Sequence, residues 1–236
     1  MSRFGVIAGR SARWAGVVLG AALAAWPVAR ADAPGRWLLL YERDGFRAFE
    51  MRGEPPAYRA EGTLNVGLAE VAAVLVDLPR QREWVSHLAE SRLLEGDPLA
   101  SSVVYSRYDL PWPVRDRDAV IESVVTERPW EGEVHVRFRS TTMALAPGRL
   151  ECIRVPLCEG EFTLAQAGPD RVRVTYTIRL DPGGSLPAWL VRHFIRDAPA
   201  DTLARFRRQV MRTRGQYGDF IQAQTSRWER ARAREE

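Results

Sequence analysis

The residues of this chain that could do chemistry are an adjacent arginine-aspartate pair, two cysteines and three histidines. The pair is Arg117-Asp118, the cysteines are Cys152 and Cys158, and the histidines stand at positions 87, 135 and 193. The histidines are far apart, and neither an HExxH nor a CxxC pattern suggests zinc. No Gly-x-Ser-x-Gly elbow exists, and Cys152 lacks a nearby histidine in sequence. We therefore predict no catalytic residue, metal or cofactor, although a Ser-His-Asp set assembled only by the fold stays open.

The basic residues of the chain exclude two large enzyme classes. All 34 of them are arginine, and lysine is absent. A Walker phosphate loop and a Schiff-base enzyme both need a lysine, so neither is present. The arginines are not interleaved with aromatic residues as on a strand platform that binds nucleic acid, so we expect no nucleic-acid partner.

Arg117 and Asp118 are the sharpest binding candidates. Adjacent residues on a strand point to opposite faces, so only one of them can face an interior. A guanidinium inside an apolar cavity must find an anionic partner or lose much of its solvation. A phosphate or carboxylate head group would satisfy it bidentately. The alternative is a structural ion pair between Arg117 and a carboxylate on a neighbouring strand.

The two cysteines leave a disulfide open. On one straight strand the Cα atoms of Cys152 and Cys158 would lie about 20 Å apart, at about 3.3 Å per residue, which is too far for a bridge. A bridge therefore requires the chain to fold back near Val155-Pro156, and Pro156 permits that. An oxidising compartment would allow the bond.

The first 31 residues have the pattern of a cleavable signal peptide. Arg3, Arg10 and Arg13 precede a short apolar run, and Ala29-Arg30-Ala31 offers a small-x-small cleavage site. The run is short for a membrane span of about 20 residues. We therefore expect an exported protein, periplasmic or secreted, with a single domain over residues 32–236. The alternative is an uncleaved membrane anchor.

Processing would remove four arginines and no acidic residue, so the formal net charge of +4 would become zero. An asymmetry remains, because residues 205–236 hold nine arginines and four acidic residues. Such a basic tail could approach an anionic membrane transiently. The alternative is a solvated arginine-rich face.

Apolar runs and turn residues predict one antiparallel meander with helices inserted. Asp44-Gly45 indicates a hairpin. Residues 67–78 have helical spacing, and a second short helix is expected around residues 83–88. Short turns between later segments favour antiparallel neighbours, since parallel ones need long crossovers. The predicted strands cover residues 37–43, 47–51, 58–66, 102–110, 117–127, 133–142, 149–155, 161–167 and 171–180.

A long helix is predicted after the turn at residues 181–184. Ser185 is a reasonable N-cap, and Pro187 is tolerated in the first turn. Gly183 and Gly184 suit a tight strand-to-helix turn, because glycine takes positive φ without strain. The Asp181 side chain is expected to bond turn amides. Pro199 should kink or break this helix.

Four segments, in this order, resemble START (StAR-related lipid-transfer) domains. Trp37 followed by Asp44-Gly45-Phe46 opens the chain as these domains open, and Asp77 with Trp84 resembles the family's Asp…Trp pair. Residues 111–118 (PWPVRDRD) resemble the PWPV-x-x-RD segment. Residues 181–190 (DPGGSLPAWL) resemble the DPGG-x-x-P-x-W passage. The resemblance covers about residues 37–222.

The resemblance implies an α+β helix-grip fold, in which a curved antiparallel sheet surrounds a C-terminal helix and leaves an internal hydrophobic cavity. In START domains that carry phospholipids, an arginine of the RD segment reaches the head group, and that role would fall to Arg117. Proposed gate residues are Asp181, Gly183, Gly184 and Pro199. The predicted ligand-binding residues are Arg117, Trp84, Tyr105, Trp189, Leu190, Phe194, Phe206 and Val210. The alternative for Trp84, Trp112 and Trp189 is ordinary core packing.

We therefore expect a non-enzymatic, monomeric protein that binds a lipid or other apolar molecule and carries or senses it, with the C-terminal helix as a lid. The first alternative is an enzyme on the same scaffold, such as a polyketide cyclase or aromatase. Such an enzyme should gather titratable residues deep in its cavity. A further alternative is an interaction module whose ligand controls a partner protein.

Overall fold

The computed structural model describes residues 36–141, 146, 151–186 and 188–233, without the side chains of residues 188 and 190–194. The expected signal peptide and cleavage site lie outside these residues. From Arg36 onward the chain forms one compact unit.

The described residues form one curved sheet of ten strands and three α-helices. The sheet order is β1-β2-β3-β10-β9-β7-β6-β5-β4, and every pair along it is antiparallel. The short strand β8 pairs with β6 in parallel. The strands are β1 (Leu38–Arg43), β2 (Phe46–Met51), β3 (Ala57–Leu64), β4 (Leu88–Asp97), β5 (Ser101–Tyr108), β6 (Arg117–Arg128), β7 (Glu133–Ser140), β8 (Ile153–Arg154), β9 (Leu157–Gly168) and β10 (Arg171–Asp181).

The helices cover the concave side and one end of this sheet. They are α1 (Leu68–Val76), α2 (Ala188–Arg212) and α3 (Gly218–Arg232), with a short 3₁₀ helix at Leu78–Glu83. Helix α2 packs on β2, β3 and β10, whereas α1 packs on α2 and α3. Seven of the nine residues of α1 are buried, so this helix is a core element.

Two predictions about local structure are wrong. Residues 83–88 do not form a helix, because the 3₁₀ helix ends at Glu83 and β4 begins at Leu88. Pro199 does not break the helix, because it lies inside an uninterrupted α2 with Ile195 and Leu203 buried on either side, where tertiary packing outweighs the lost hydrogen bond. A kink at Pro199 stays a prediction. The break comes after Arg212, where Gly215 has a positive φ of 78° and α3 starts three residues later.

The concave face of the sheet is filled at one end. Residues Val172 and Val174 of β10 and Leu164 of β9 are fully buried. Trp84, Leu203 and Phe206 cover them in the same cluster. The ring of Trp84 lies 4.8 Å from that of Phe206 and 6.1 Å from that of Phe162. We call this part, with Val174, Leu164, Phe162, Trp84, Leu203 and Phe206, the filled half.

Candidate ligand-binding site

The other end of the concave face is not filled in the same way. Its inward-pointing side chains are apolar or aromatic, yet all of them keep accessible surface. They come from four different strands, and register places them on the same face as the filled half. We call this part the hollow half, and its members are Tyr108, Ile121, Phe138, Tyr176, Ile178 and Leu180.

Accessible surface in the hollow half does not mean contact with bulk water. Burial raises the pKa of Tyr176 well above its ordinary value, and it also raises the pKa of Tyr108. Burial raises the pKa of the neighbouring Cys158 thiol to about 12. Side chains that are surrounded by protein and still keep accessible surface border a cleft or an internal space, and Leu180 of this group lines a cleft beside α2. We therefore interpret the hollow half as the wall of a cavity under α2.

Two clefts flank the connection from β10 to α2. Leu186 lines both of them. The first cleft has a volume of about 520 Å³ and reaches Leu180 of the hollow half. The second has a volume of about 610 Å³ and reaches Arg117. Both volumes lie in the range of small-molecule sites, about 300–1,000 Å³.

Arg117 is a buried cation held by main-chain oxygens. Its side chain is 3% exposed at the start of β6. Its Nε donates to the carbonyl of Pro182 at 3.3 Å, its Nη2 to that of Gly183 at 3.2 Å, and its Nη1 to that of Arg115. A guanidinium has five N–H groups, so two of them have no acceptor among the described residues and point to a ligand in the second cleft.

The charges around Arg117 favour an anion. Desolvation lowers the pKa of Arg117, the charge of Arg115 lowers it further, and only Asp116 opposes the shift. Asp116 is itself engaged, because it accepts hydrogen bonds from Arg107 and from the amide of Leu110. Arg115 also lines the second cleft. The first cleft is lined instead by two carboxylates, Glu50 and Glu54, and by Arg52. The second cleft is therefore the better site for an anionic group.

Asp118 lies on the opposite face from Arg117, as expected for adjacent strand residues. It binds Arg154 of β8 at 2.8 and 3.0 Å. Among the described residues Arg117 forms no ion pair of its own, so the expected structural ion pair belongs to Asp118 instead. Tyr105 donates to Asp118 and therefore does not face the cavity. The prediction of Tyr105 as a ligand-binding residue is wrong, because strand alternation turns it outward.

The remaining aromatic candidates separate into two groups. Trp84, Phe206 and Val210 are at most 2% exposed and belong to the filled half's cluster, so they pack the core and do not line the cavity. Trp189 is 64% exposed and Trp112 is 92% exposed, and both line the second cleft. Core packing is thus wrong for these two tryptophans. The side chains of Leu190 and Phe194 lie outside the described residues.

The turn before α2 is constrained by its glycines. Gly183 and Gly184 have φ values of 68° and 73°. A Cβ atom on Gly183 would lie 2.9 Å from Pro156, and one on Gly184 would lie 2.9 Å from Ile153. The Asp181 carboxylate accepts a hydrogen bond from the Gly183 amide at 2.9 Å. The turn is therefore packed against β8 and tied to β6 through Arg117.

The cysteines do not form the bridge that the sequence left open. Both thiols are free and buried. Cys158 is the second residue of β9 and packs with Ala119 and Val155 at the floor of the hollow half, whereas Cys152 precedes β8. The chain does turn back between them, because Pro156 separates β8 from β9.

The arginine-rich tail is folded onto the body of the domain. Arg212 binds Glu83, Arg227 binds Glu127, and Arg232 donates to the carbonyl of Pro129. The tail is therefore not simply a solvated face. No helix among the described residues has the length and apolar character needed to cross a membrane.

Comparison with known proteins identifies this arrangement. Residues 37–215 match the family model of the START domain. The chain belongs to the START domain family. The curved sheet closed by a C-terminal helix is accordingly the helix-grip fold of START domains, as the sequence motifs predict.

Individual START relatives agree with this assignment. An uncharacterized protein of Pseudomonas aeruginosa is 35% identical over 170 residues, covering 71% of this chain and 83% of the relative. The bovine phosphatidylcholine transfer protein is 28% identical over 161 residues, covering 66% and 75%. The structure of a STAR-related lipid transfer protein from Xanthomonas axonopodis superposes with a TM-score of 0.67 at 29% identity, covering 74% and 98%.

Several residues of the cavity escaped prediction. Tyr108, Tyr176, Ile178 and Leu180 line it, and none was a candidate. The last three alternate along β10, which is a signal for one face of a strand. The pattern does not tell which face is concave, or where along a strand the packing stops.

Proposed function

We propose that this START domain binds a lipid or another apolar molecule in the hollow half and carries it between membranes. The observation that carries the proposal is the combination of a desolvated apolar surface in the hollow half with a buried arginine at the second cleft. Burial of acyl chains would supply affinity, at about 0.8 kcal/mol per CH₂ group. The two free donors of Arg117 would favour an anionic head group such as a phosphate.

The chemistry of the cavity favours binding over catalysis. Among the side chains that the structure describes, the titratable groups in its interior are Tyr108, Tyr176 and Cys158, and burial raises the pKa of each. General acid–base catalysis works best with a pKa near the working pH. Burial moves the pKa values of these three groups away from neutral pH. This supports a carrier over a cyclase on the same scaffold.

The second cleft is also where we place membrane contact. Trp112 and Trp189 are the two most exposed large apolar residues of the described chain, and both stand at this cleft. Tryptophan favours the boundary between lipid and water, and Arg115 beside them would attract anionic lipids. The C-terminal arginines are in part engaged with the domain, so they would contribute less.

Lipid exchange requires an opening, and we propose that the start of α2 supplies it. Leu186, just before α2, lines both clefts, and Ile195 of α2 lines the first cleft. The Arg117 bonds to Pro182 and Gly183 hold the turn that precedes α2. An anion bound to the other two donors would draw the guanidinium toward the second cleft and weaken those bonds, so head-group binding and opening would be linked.

A transfer assay between vesicles tests the lid. A crosslinkable cysteine pair would join α2 near Ile195 to β3 near Tyr58, in protein whose two native cysteines are replaced by alanine. We expect transfer of a fluorescent phospholipid to stop when the pair is bridged and to return when the bridge is reversed. Undiminished transfer in the bridged form would reject the lid.

We also propose that residues 1–31 direct export and are removed. Amino-terminal sequencing of the protein purified from its own host, together with fractionation of the cells, tests this. A mature chain that begins at residue 32 outside the cytoplasm is the expected result, and an intact terminus would contradict it.

A further inference from the structure

Two tyrosines and a thiol meet in the hollow half. Tyr108 lies on β5, Tyr176 on β10, and Cys158 on the strand between β10 and β7. Each tyrosine interacts electrostatically with Cys158, and the two tyrosines interact with each other. The wall around them is apolar, formed by Ala119, Ile121, Phe138, Val155, Ile178 and Leu180.

Aromatic contacts fix the ring of Tyr176, but its hydroxyl group has no hydrogen-bond partner in the described part of the chain. The ring stacks on Phe162 with 4.2 Å between centroids and lies 6.2 Å from the ring of Phe138. Within the described part of the chain the hydroxyl has no hydrogen-bond partner, yet it is not sealed inside protein. A polar group in apolar surroundings normally has a partner, because leaving it without one is costly.

Tyr108 connects this spot to the arginine. It pairs directly with Arg117 across β5 and β6, so the two side chains share a face of the sheet. Ser106, two residues earlier on that face, lies within hydrogen-bonding reach of the Tyr108 hydroxyl. The tyrosines thus continue the path that starts at Arg117 and runs into the cavity.

Both hydroxyls are donors under physiological conditions. Burial raises the pKa of each above the ordinary value of 10.0, so both keep their protons. The Tyr176 phenol has no protein acceptor within the described part of the chain, so it calls for an acceptor on the ligand, and the Tyr108 hydroxyl can donate to the same group in place of Ser106.

We propose that Tyr108 and Tyr176 form a hydrogen-bond donor site for a carbonyl oxygen of the ligand, placed between a charged head group at Arg117 and an apolar tail. The ligand class is therefore an amphiphile that carries an ester or amide carbonyl next to its chains. This inference rests on the proposed lipid-binding function. It adds a second point of ligand selectivity, for a carbonyl in the interior, to the selectivity for an anionic head group at the second cleft.

Paired lipid probes test the donor site. Diacyl phosphatidic acid has two ester carbonyls, and dialkyl phosphatidic acid has ether links in their place, so the two differ only at the proposed contact. Wild-type protein should bind the ester-linked lipid more tightly. Tyr108→Phe and Tyr176→Phe should each weaken ester-lipid binding about three- to tenfold, the effect of one hydrogen bond, and leave ether-lipid binding unchanged.

Tyr105→Phe is the matched control, because it removes a buried hydroxyl on the other face of the sheet. It should change neither affinity. Retained binding of the ether-linked lipid shows that each variant is folded. Equal affinities of wild type and both cavity variants for the ester-linked lipid would overturn the donor site while leaving the carrier intact. Wild-type protein that binds neither probe would remove the proposed function toward anionic amphiphiles, and the donor site with it.

Discussion

An added side chain should be tolerated in the hollow half and rejected in the filled half. Val174 and Ile178 lie on the same face of β10, four residues apart, so phenylalanine at each position makes a matched pair. Val174 is 0% exposed and surrounded by the core, whereas Ile178 is half-buried beside the cavity. The comparison therefore measures the free space beneath α2 directly.

The expected magnitudes follow from packing. Overfilling a close-packed core costs about 1–3 kcal/mol, and Val174→Phe adds a whole ring there, so we expect about 3 kcal/mol. Ile178→Phe places new apolar surface into existing space and should change stability by less than about 1 kcal/mol. The same substitution should lower lipid uptake, because it occupies the cavity.

Urea denaturation of lipid-free protein measures both variants, and a constant m-value confirms that midpoints can be compared. The free energy of unfolding should fall by about 2 kcal/mol or more further in Val174→Phe than in Ile178→Phe. If Ile178→Phe destabilises the protein as much as Val174→Phe, the hollow half is packed and the reasoning fails.

Three further outcomes are expected. Arg117→Met should weaken binding of phosphatidic acid at least about tenfold, the loss of a charge-assisted hydrogen bond, and spare a neutral diacylglycerol; equal losses would contradict a head-group role. Replacing Trp112 and Trp189 by alanine should weaken binding to anionic vesicles about tenfold. The control Trp130→Ala, at the exposed β6–β7 turn, should leave vesicle binding unchanged. Weaker vesicle binding in Trp130→Ala alone would contradict membrane contact at the second cleft. His135→Gln should lower the free energy of unfolding, measured by urea denaturation, by about 1 kcal/mol at pH 6 and by much less at pH 9. A loss of stability that does not depend on pH would be inconsistent with an ionic contribution.

The sign of the His135 effect follows from its partners. Hydrogen bonds to Glu161 at 2.9 Å and to Glu133 at 3.0 Å raise the pKa of His135 above 6.5. The stabilisation is therefore complete below 6.5 and is lost as the pH rises through the raised pKa. The same contact lowers the pKa of Glu161 below 4.5, so its contribution is lost in acid. The contacts of His135 with Glu161 and Glu133 should therefore stabilise the protein most between pH 4.5 and pH 6.5.

The sequence predicts the fold better than the site, for physical reasons. Hairpins such as the one at Asp44-Gly45 and the turn at Gly183-Gly184 depend on local backbone conformation, which residue type reveals. Arg117 was found because a motif contains it. Tyr105 and Tyr176 are both strand tyrosines, and only the direction in which the sheet curves assigns one to the outside and the other to the cavity.

Packing density is likewise absent from the sequence. Phe206 and Ile178 are both apolar residues on inward faces, yet one fills the core and the other borders a space. The difference depends on which side chains of α2 and the 3₁₀ helix reach each region. Edge strand β4 was not predicted for a related reason, because most of its residues keep exposed surface at the sheet edge and no apolar run marks it.

The most direct test of the cavity is native mass spectrometry of the mature protein, purified from its own host without detergent. An occupied cavity predicts a retained mass of lipid size, one molecule per chain, that is released on denaturation and reduced in Ile178→Phe. A protein that carries no such mass, and takes up none from vesicles of the host's own lipids, would contradict a lipid-filled interior.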